Sequence, residues 1–321
     1  MTQRQSVLPF VSQENPKSEA LWLEAFRTAF QAQNHTTEII SFSELSESQK
    51  QEIEVAIVAN PRISDLEQLP NLKWVQSTWA GVESLARDSD KSLHIVRMVD
   101  QQLGDTMAEA VLAWTLYLHR DMPTYARQQA EQLWVEQPLI HARDRRIGIL
   151  GLGALGEKAA ERLSANGFSV RGWSRNGKAC RGVEKVLSGE DGLRELLGQS
   201  DILVVLLPLT PETRGLLNNA RLAQLPEGAS LINFGRGPLL VEEDLLHQLD
   251  HGPLRHAVLD VFETEPLPAS NPLWTHPGVT ILPHITAPTD KPTASTAVAR
   301  NIIHYWNSGE LPEGVDRGAG Y

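Results

Sequence analysis

The stretch Arg146–Gly156, R-I-G-I-L-G-L-G-A-L-G, constrains this chain more than any other. The apolar run Ile147–Leu150 ends in Gly151, Gly153 and Gly156 at G-x-G-x-x-G spacing, and a helix-like segment, Glu157–Ala165, follows at once. A strand, a glycine turn and a helix in that order are the context of a dinucleotide fingerprint. Gly151 permits the tight turn, Gly153 lets backbone approach a pyrophosphate, and Gly156 lets helix and strand pack closely. The free N–H groups of Ala154 and Leu155 and the positive end of the helix dipole then face the phosphates. A second strand, Gly167–Trp173, completes a βαβ unit and argues against an ordinary strand-to-helix turn.

A chain of 321 residues predicts about two domains, each able to bury a core. The net charge of −11 argues against a nucleic-acid partner. Cys180 is the only cysteine, which excludes an internal disulfide and fits a reducing cytoplasm. Met1–Phe10 has no basic region followed by an apolar core, so no signal peptide is expected. No apolar run approaches the ~20 residues of a membrane span.

Residues 1–98 read as a small α/β unit. Strands are predicted at Gln5–Phe10, Val55–Ala59, Leu72–Gln76 and His94–Val99, with an amphipathic helix at Ser18–Gln33. The stretch Ser77–Leu85, S-T-W-A-G-V-E-S-L, is a glycine-containing turn opening a short helix. Its bare N–H groups at Ala80 and Gly81 suit a carboxylate, and a plain helix start is the alternative. Thr106–Glu109 reads as a capping box for a helix running to about His119. That helix is apolar nearly all round, which predicts burial, for example in a subunit interface. Asp121–Gln137 reads as a polar helix.

From Arg146 onward six strands alternate with helices: Ile147–Leu150, Gly167–Trp173, Asp201–Leu207, Ala229–Phe234, Ala257–Val261 and Val279–Leu282. Thr210-Pro211 reads as an N-cap with proline at the first helical position. Glu242–Leu249 and Pro292–Trp306 are further helices. This pattern predicts a doubly wound parallel sheet. Ligands bind beyond the carboxyl ends of such strands, and Arg236, Glu265 and His284 all follow strands directly. Each alone has a structural reading; their common placement beside a dinucleotide turn marks them as catalytic candidates.

Five stretches together carry a resemblance: G-L-G-A-L-G, P-L-T-P-E-T-R-G-L-L-N (Pro208–Asn218), N-F-G-R-G (Asn233–Gly237), D-V-F-E-T-E-P-L-P (Asp260–Pro268) and P-H-I-T (Pro283–Thr286). In this order they resemble the D-isomer-specific 2-hydroxyacid dehydrogenase family. The stretches S-T-W-A-G-V-E and Arg97–Trp114 resemble its bacterial glyoxylate/hydroxypyruvate reductase branch. The resemblance implies that Arg236 grips the carboxylate of a 2-oxo acid and polarises its carbonyl, a double task that suits a planar guanidinium. It implies that His284 donates the proton and that Glu265 orients it and keeps that proton available. It matches Ala80 and Gly81 to a carboxylate cradle, Asp260 and the carbonyl of Phe234 to the nicotinamide carboxamide, and Leu207, Pro208 and Thr213 to the adenine and pyrophosphate side. Glu83, Asp100 and Leu282 depart from the family's usual Asp, Asn and Thr.

The same resemblance places the boundaries. Residues 1–98 and 286–321 would form a smaller, flavodoxin-like substrate-binding domain, and residues 99–285 the Rossmann domain, with substrate in a closing cleft. The residues alone put the boundary near 140. No acidic residue ends the strand Gly167–Trp173; Ser174 and Arg175 stand there, with Lys178 nearby, which predicts NADPH over NADH. Trp79, beside the cradle, either walls the pocket or packs inward. A cytoplasmic homodimer joined near residues 106–119, acting on a small 2-oxo acid without a metal, is the expectation. Two other readings are a dinucleotide-sensing interaction protein, like the C-terminal binding protein corepressors, and a dehydrogenase of formate or phosphite. The lack of a long tail after Tyr321 counts against the first.

Overall fold

A computed structural model describes residues 7–317. It divides into two compact units, Met1–Gln102 with Thr289–Tyr321, and Leu103–Pro288.

The first unit is a five-stranded parallel sheet of β1 (Val7–Ser12), β2 (Glu38–Ser41), β3 (Val55–Ala59), β4 (Trp74–Ser77) and β5 (His94–Val96), in the order β2-β1-β3-β4-β5. This 2-1-3-4-5 order is that of flavodoxin-like folds. Because the strands are parallel, both faces must be covered, and the side chains alternate accordingly. Leu8, Phe10, Ile57 and Trp74 face one core; Val11, Ala56, Val58 and Val75 face the other. α1 (Pro16–Ala32) closes the first face with the stripe Trp22, Leu23, Phe26, Ala29 and Phe30, at helical spacing. Asn15 caps it, its side-chain oxygen accepting from the Ser18 N–H at 3.0 Å. The closing helix Lys291–Ser308 packs on the same face through Val298, Ile302 and Trp306. Short helices α2 (Glu47–Lys50), α3 (Ile63–Leu66) and α4 (Glu83–Asp88) occupy connections. The sequence reading misses β2, a four-residue edge strand.

The second unit takes in α5 (Gln101–His119) from Leu103 onward, then α6 (Met122–Ala130). α5 starts five residues before the expected capping box at Thr106 (106 − 101). Asp100 serves that start instead, its Oδ1 accepting from the Gln102 N–H at 3.2 Å and its Oδ2 from the Thr293 hydroxyl at 2.6 Å. α5 is also not buried all round in the single chain: Val111 and Leu118 are buried, but Leu116 is exposed. α6 ends well before Gln137, and the segment after it exposes Leu133, Trp134, Val135 and Leu139.

The sheet of this unit has seven parallel strands, one more than expected: β6 (Arg146–Leu150), β7 (Ser169–Trp173), β8 (Lys185–Leu187), β9 (Ile202–Val205), β10 (Ala229–Asn233), β11 (Leu254–Leu259) and β12 (Val279–Ile281). Their order, β12-β11-β10-β9-β6-β7-β8, is the doubly wound Rossmann order with one strand added beyond it. α7 (Ala154–Ala165) and α5 cover one face, with Ile147, Ile149, Val204 and Ile232 beneath them. α8 (Gly189–Gly198) and α10 (Glu242–His251) cover the other, over Leu150, Leu203, Leu231 and Leu259. α9 (Asn219–Leu222) is short. No helix follows Thr210-Pro211: the Thr213 hydroxyl donates to the Pro208 carbonyl at 2.8 Å and accepts from the Thr210 N–H at 2.7 Å, closing a turn instead. Among the described residues no helix is long and apolar enough to cross a membrane.

Candidate active site

Register builds the site. Leu187, Trp173, Leu150, Val205, Asn233, Leu259 and Ile281 form one row across the seven strands. The next residues, Gly151, Ser174, Leu206, Phe234, Asp260 and Leu282, therefore leave the sheet in one plane. Residues two or three further along each strand are brought to a common edge by backbone pairing alone.

Gly151 takes φ +104°, a conformation that side chains rarely adopt. A Cβ on Gly156 would lie 1.9 Å from the Gly151 carbonyl oxygen, so α7 touches the turn only because residue 156 has none. At Gly153 the opposite holds: a Cβ would meet nothing within 4 Å. Gly153 is the N-cap of α7, and no side chain caps that helix. The first-turn N–H groups, with Ala154 and Leu155, thus open onto free space, as an incoming pyrophosphate requires. The residues fit a dinucleotide.

Ser174 and Arg175 lie directly beyond β7. The nearby Glu212 carboxyl is held below its usual range first by a hydrogen bond from the Thr210 side chain, and Arg175 also contributes. Arg175 thus lies within electrostatic reach of Glu212 in the Thr210–Thr213 turn. Leu207 is buried between the glycine turn and the next loop.

That loop carries Arg236. Asn233, fully buried, shapes it from within: its Oδ1 accepts from the Gly235 N–H at 3.2 Å and its Nδ2 donates to the Arg236 carbonyl at 3.1 Å. The Arg236 Nη1 donates to the Gly235 carbonyl at 2.7 Å. Gly237 is pressed so closely on the next loop that a Cβ would fall 1.9 Å from the Phe262 carbonyl carbon. The Phe234 side chain is buried in the sheet core.

Beyond β11 and β12, Glu265 and His284 meet. The His284 Nδ1 and Glu265 Oε2 lie 2.7 Å apart, and Glu265 Oε1 accepts from the Phe262 N–H at 2.9 Å. Glu265 is thus fixed on one side by backbone and on the other by the imidazole. His284 sits at φ +53°, a left-handed conformation that is uncommon outside glycine and asparagine. Asp260 sustains it: this buried carboxylate accepts from the Ile285 N–H at 2.7 Å and the Thr286 N–H at 3.0 Å. The side chain of Asp260 thereby clamps the histidine loop. Sequence reasoning missed this clamp and Asn233; an Asp or Asn closing a buried strand is the only signal that either offers.

In the first unit, Ser77 Oγ accepts from the Trp79 N–H at 3.0 Å, and the Trp79 carbonyl accepts from the Met98 N–H at 3.0 Å. The Trp79 ring packs against the core beneath α1 and the closing helix, and its indole nitrogen is buried without a partner among the described residues. Ala80 and Gly81 follow, half-buried, before α4. Among the described residues no cluster of His, Cys, Asp and Glu is placed to hold a metal.

Residues 112–286 match the family model of the D-isomer specific 2-hydroxyacid dehydrogenase NAD binding domain. A D-isomer specific 2-hydroxyacid dehydrogenase from Xanthobacter autotrophicus Py2, solved with NADPH and MES, is 37% identical over 99% of this chain and 100% of its own, with a TM-score of 0.90. An NADPH-dependent glyoxylate/hydroxypyruvate reductase from Sinorhizobium meliloti, solved with NADP and sulfate, is 33% identical over 98% and 100%, with a TM-score of 0.87. A probable 2-hydroxyacid dehydrogenase from Rhizobium etli CFN 42, with NADP, HEPES and L(+)-tartaric acid, is 31% identical over 98% and 99%, with a TM-score of 0.87. A family model over more than half of the chain and relatives above 30% identity over nearly its whole length show the family: this chain belongs to the NAD(P)-dependent D-isomer specific 2-hydroxyacid dehydrogenases.

Proposed function

We propose that the protein reduces a small 2-oxo acid, glyoxylate or hydroxypyruvate, to the 2-hydroxy acid with NADPH. The observation that carries this reading is the His284–Glu265 pair at 2.7 Å, set at the same sheet edge as the Arg236 loop. When bound, the nicotinamide supplies the hydride for C2 of the substrate. Arg236 holds the substrate carboxylate and polarises the 2-oxo group. With its Nδ1 committed to Glu265, His284 presents Nε2 as the proton donor to the developing alkoxide. Glu265 keeps the ring in that orientation. The N–H groups of Ala80 and Gly81 add donors for the carboxylate, which assigns residues 1–98 and 286–321 to substrate and 99–285 to coenzyme. Leu207, Pro208 and Thr213 flank the adenine and pyrophosphate side. The Phe234 carbonyl would hold the nicotinamide carboxamide; Asp260, matched to the same group, spends its carboxylate on the His284 loop.

NADPH is favoured because Ser174 and Arg175 stand where NAD-selective relatives place an acid. The glyoxylate/hydroxypyruvate reductase from Sinorhizobium meliloti supports the choice of substrate. The exposed Leu116, Leu133, Trp134 and Val135 support a homodimer, which light scattering tests. The deciding experiment compares kcat/KM for glyoxylate, hydroxypyruvate, pyruvate and phenylpyruvate with each coenzyme. Glyoxylate or hydroxypyruvate with NADPH should lead. Phenylpyruvate in first place, or equal use of NADH, contradicts the proposal.

A further inference from the structure

The opposite, amino edge of the seven-stranded sheet holds a second arrangement of polar groups. A small recess there is lined by Asp121, Arg127, Arg145, Asp201, Arg255 and His256. Its cations outnumber its anions once the pairs are taken out. Arg255 bridges Asp121 at 2.7 Å and donates to the Thr124 hydroxyl at 2.6 Å. Asp201 accepts from the Arg146 backbone N–H at 2.8 Å and pairs with that residue's guanidinium. Among the described residues, neither Arg127 nor Arg145 joins an ion pair, and the Arg145 Nε is buried without a hydrogen-bond partner.

His256 forms the floor. It is only 4% exposed. Its Nε2 lies 2.9 Å from the Thr280 hydroxyl, while its buried Nδ1 has no partner. In the tautomer in which the Thr280 hydroxyl donates to Nε2, the buried Nδ1 of this recess-lining residue carries an N–H. Burying such a group unpaired is costly, so its retention beside two unpaired guanidinium groups calls for an acceptor.

We propose that this recess binds a small oxyanion of the phosphate class, held by Arg127, Arg145 and the His256 Nδ1–H. Planar guanidinium groups match the geometry of such an anion. The positive field is already expressed in the neighbouring imidazoles. Burial, and then Arg127, Arg255 and His276, push His256 down to about 4. Burial, and then Arg145 and Arg120, likewise lower His119 at the end of α5. Both rings stay neutral near pH 7, so the attraction for the anion comes from the arginines. The site lies at the far end of the strands from Gly151 and His284, and it is separate from the coenzyme turn.

The test is calorimetric titration with inorganic phosphate of protein saturated with NADP+, so that the coenzyme's own phosphate positions are filled. One saturable site is expected, and Arg127→Gln and Arg145→Gln should each weaken it by about tenfold. Arg127 is exposed, so its variant should keep the wild-type Tm without phosphate and lose the Tm increase that phosphate gives the wild type. The His256 ring resonances should move on saturation of the wild type. Glycerol 3-phosphate serves as the second titrant. Binding of both assigns the site to the phosphate end of a monoester, and binding of inorganic phosphate alone assigns it to the free ion. No saturable binding at tens of millimolar phosphate, or unchanged affinity in both variants, overturns the proposal, as does a His256 ring that does not respond.

Discussion

The two edges of the seven-stranded sheet are built on opposite principles. At the carboxyl edge Asn233, Asp260 and Glu265 are committed to the loops they shape. Asn233 binds the arginine loop, Asp260 binds the histidine loop, and Glu265 binds both backbone and imidazole. At the amino edge, His256 Nδ1 and Arg145 Nε are buried with no hydrogen-bond partner among the described residues. The first edge holds its chemistry in place before any ligand arrives, which is what a proton transfer needs. The second edge leaves buried polar atoms unpartnered, which suits the recognition of the proposed anion rather than its transformation.

Substitutions can break this contrast. The largest effect is expected at Gly237, where a Cβ must displace the Phe262 backbone rather than a flexible side chain. Gly237→Ala should destabilise by about 3 kcal/mol and lower kcat by about 100-fold, because overpacking moves the Arg236 loop. Gly153→Ala, at an open position, should leave Tm unchanged and weaken only coenzyme binding, as a Tm and coenzyme titration will show. Next comes Asp260. Asp260→Ala removes the acceptor of the Ile285 N–H and of the buried Thr286 N–H and should cost about 2 kcal/mol, with a fall in kcat, as His284 is no longer clamped. Asp260→Asn, which keeps an acceptor, should recover part of kcat with little change in KM.

The amino edge should respond to pH instead. His256 has a lower pKa folded than unfolded, about 4 against 6.5, so the unfolded chain takes up its proton first as pH falls. Its contribution to stability is full above pH 6.5 and is lost as pH falls toward 4, by about 2 kcal/mol at pH 5. Urea unfolding at pH 7.5 and pH 5 should show this loss, and His256→Gln should flatten it. The smallest effect concerns the coenzyme: Arg175→Ala should weaken NADPH by about tenfold and leave NADH nearly unchanged in paired KM measurements.

Much of the carboxyl edge was readable beforehand, because alternation and glycine spacing act locally. Ile147–Leu150 followed by three spaced glycines reads as strand, turn and helix from the residues alone, and Arg236, Glu265 and His284 stand out as candidates because each follows a strand of the sheet. What escaped the reading depends on long-range partners. The three residues of β8, Lys185–Leu187, become a strand only by pairing with β7. Thr106 resembled a cap, yet Asp100 had already started the helix. Thr210-Pro211 resembled a helix start, but the Thr213 hydroxyl closes the chain into a turn. The amino-edge recess draws on residues from 118 to 256, and nothing in their spacing announces that they meet.

The central claim is that His284, held by Glu265, is the proton donor. It is tested most directly by His284→Ala, with kcat for glyoxylate reduction and NADPH affinity measured on the same folded preparation. The account predicts a fall in kcat of about 100-fold or more with coenzyme affinity unchanged. A near-normal kcat in that variant would contradict it.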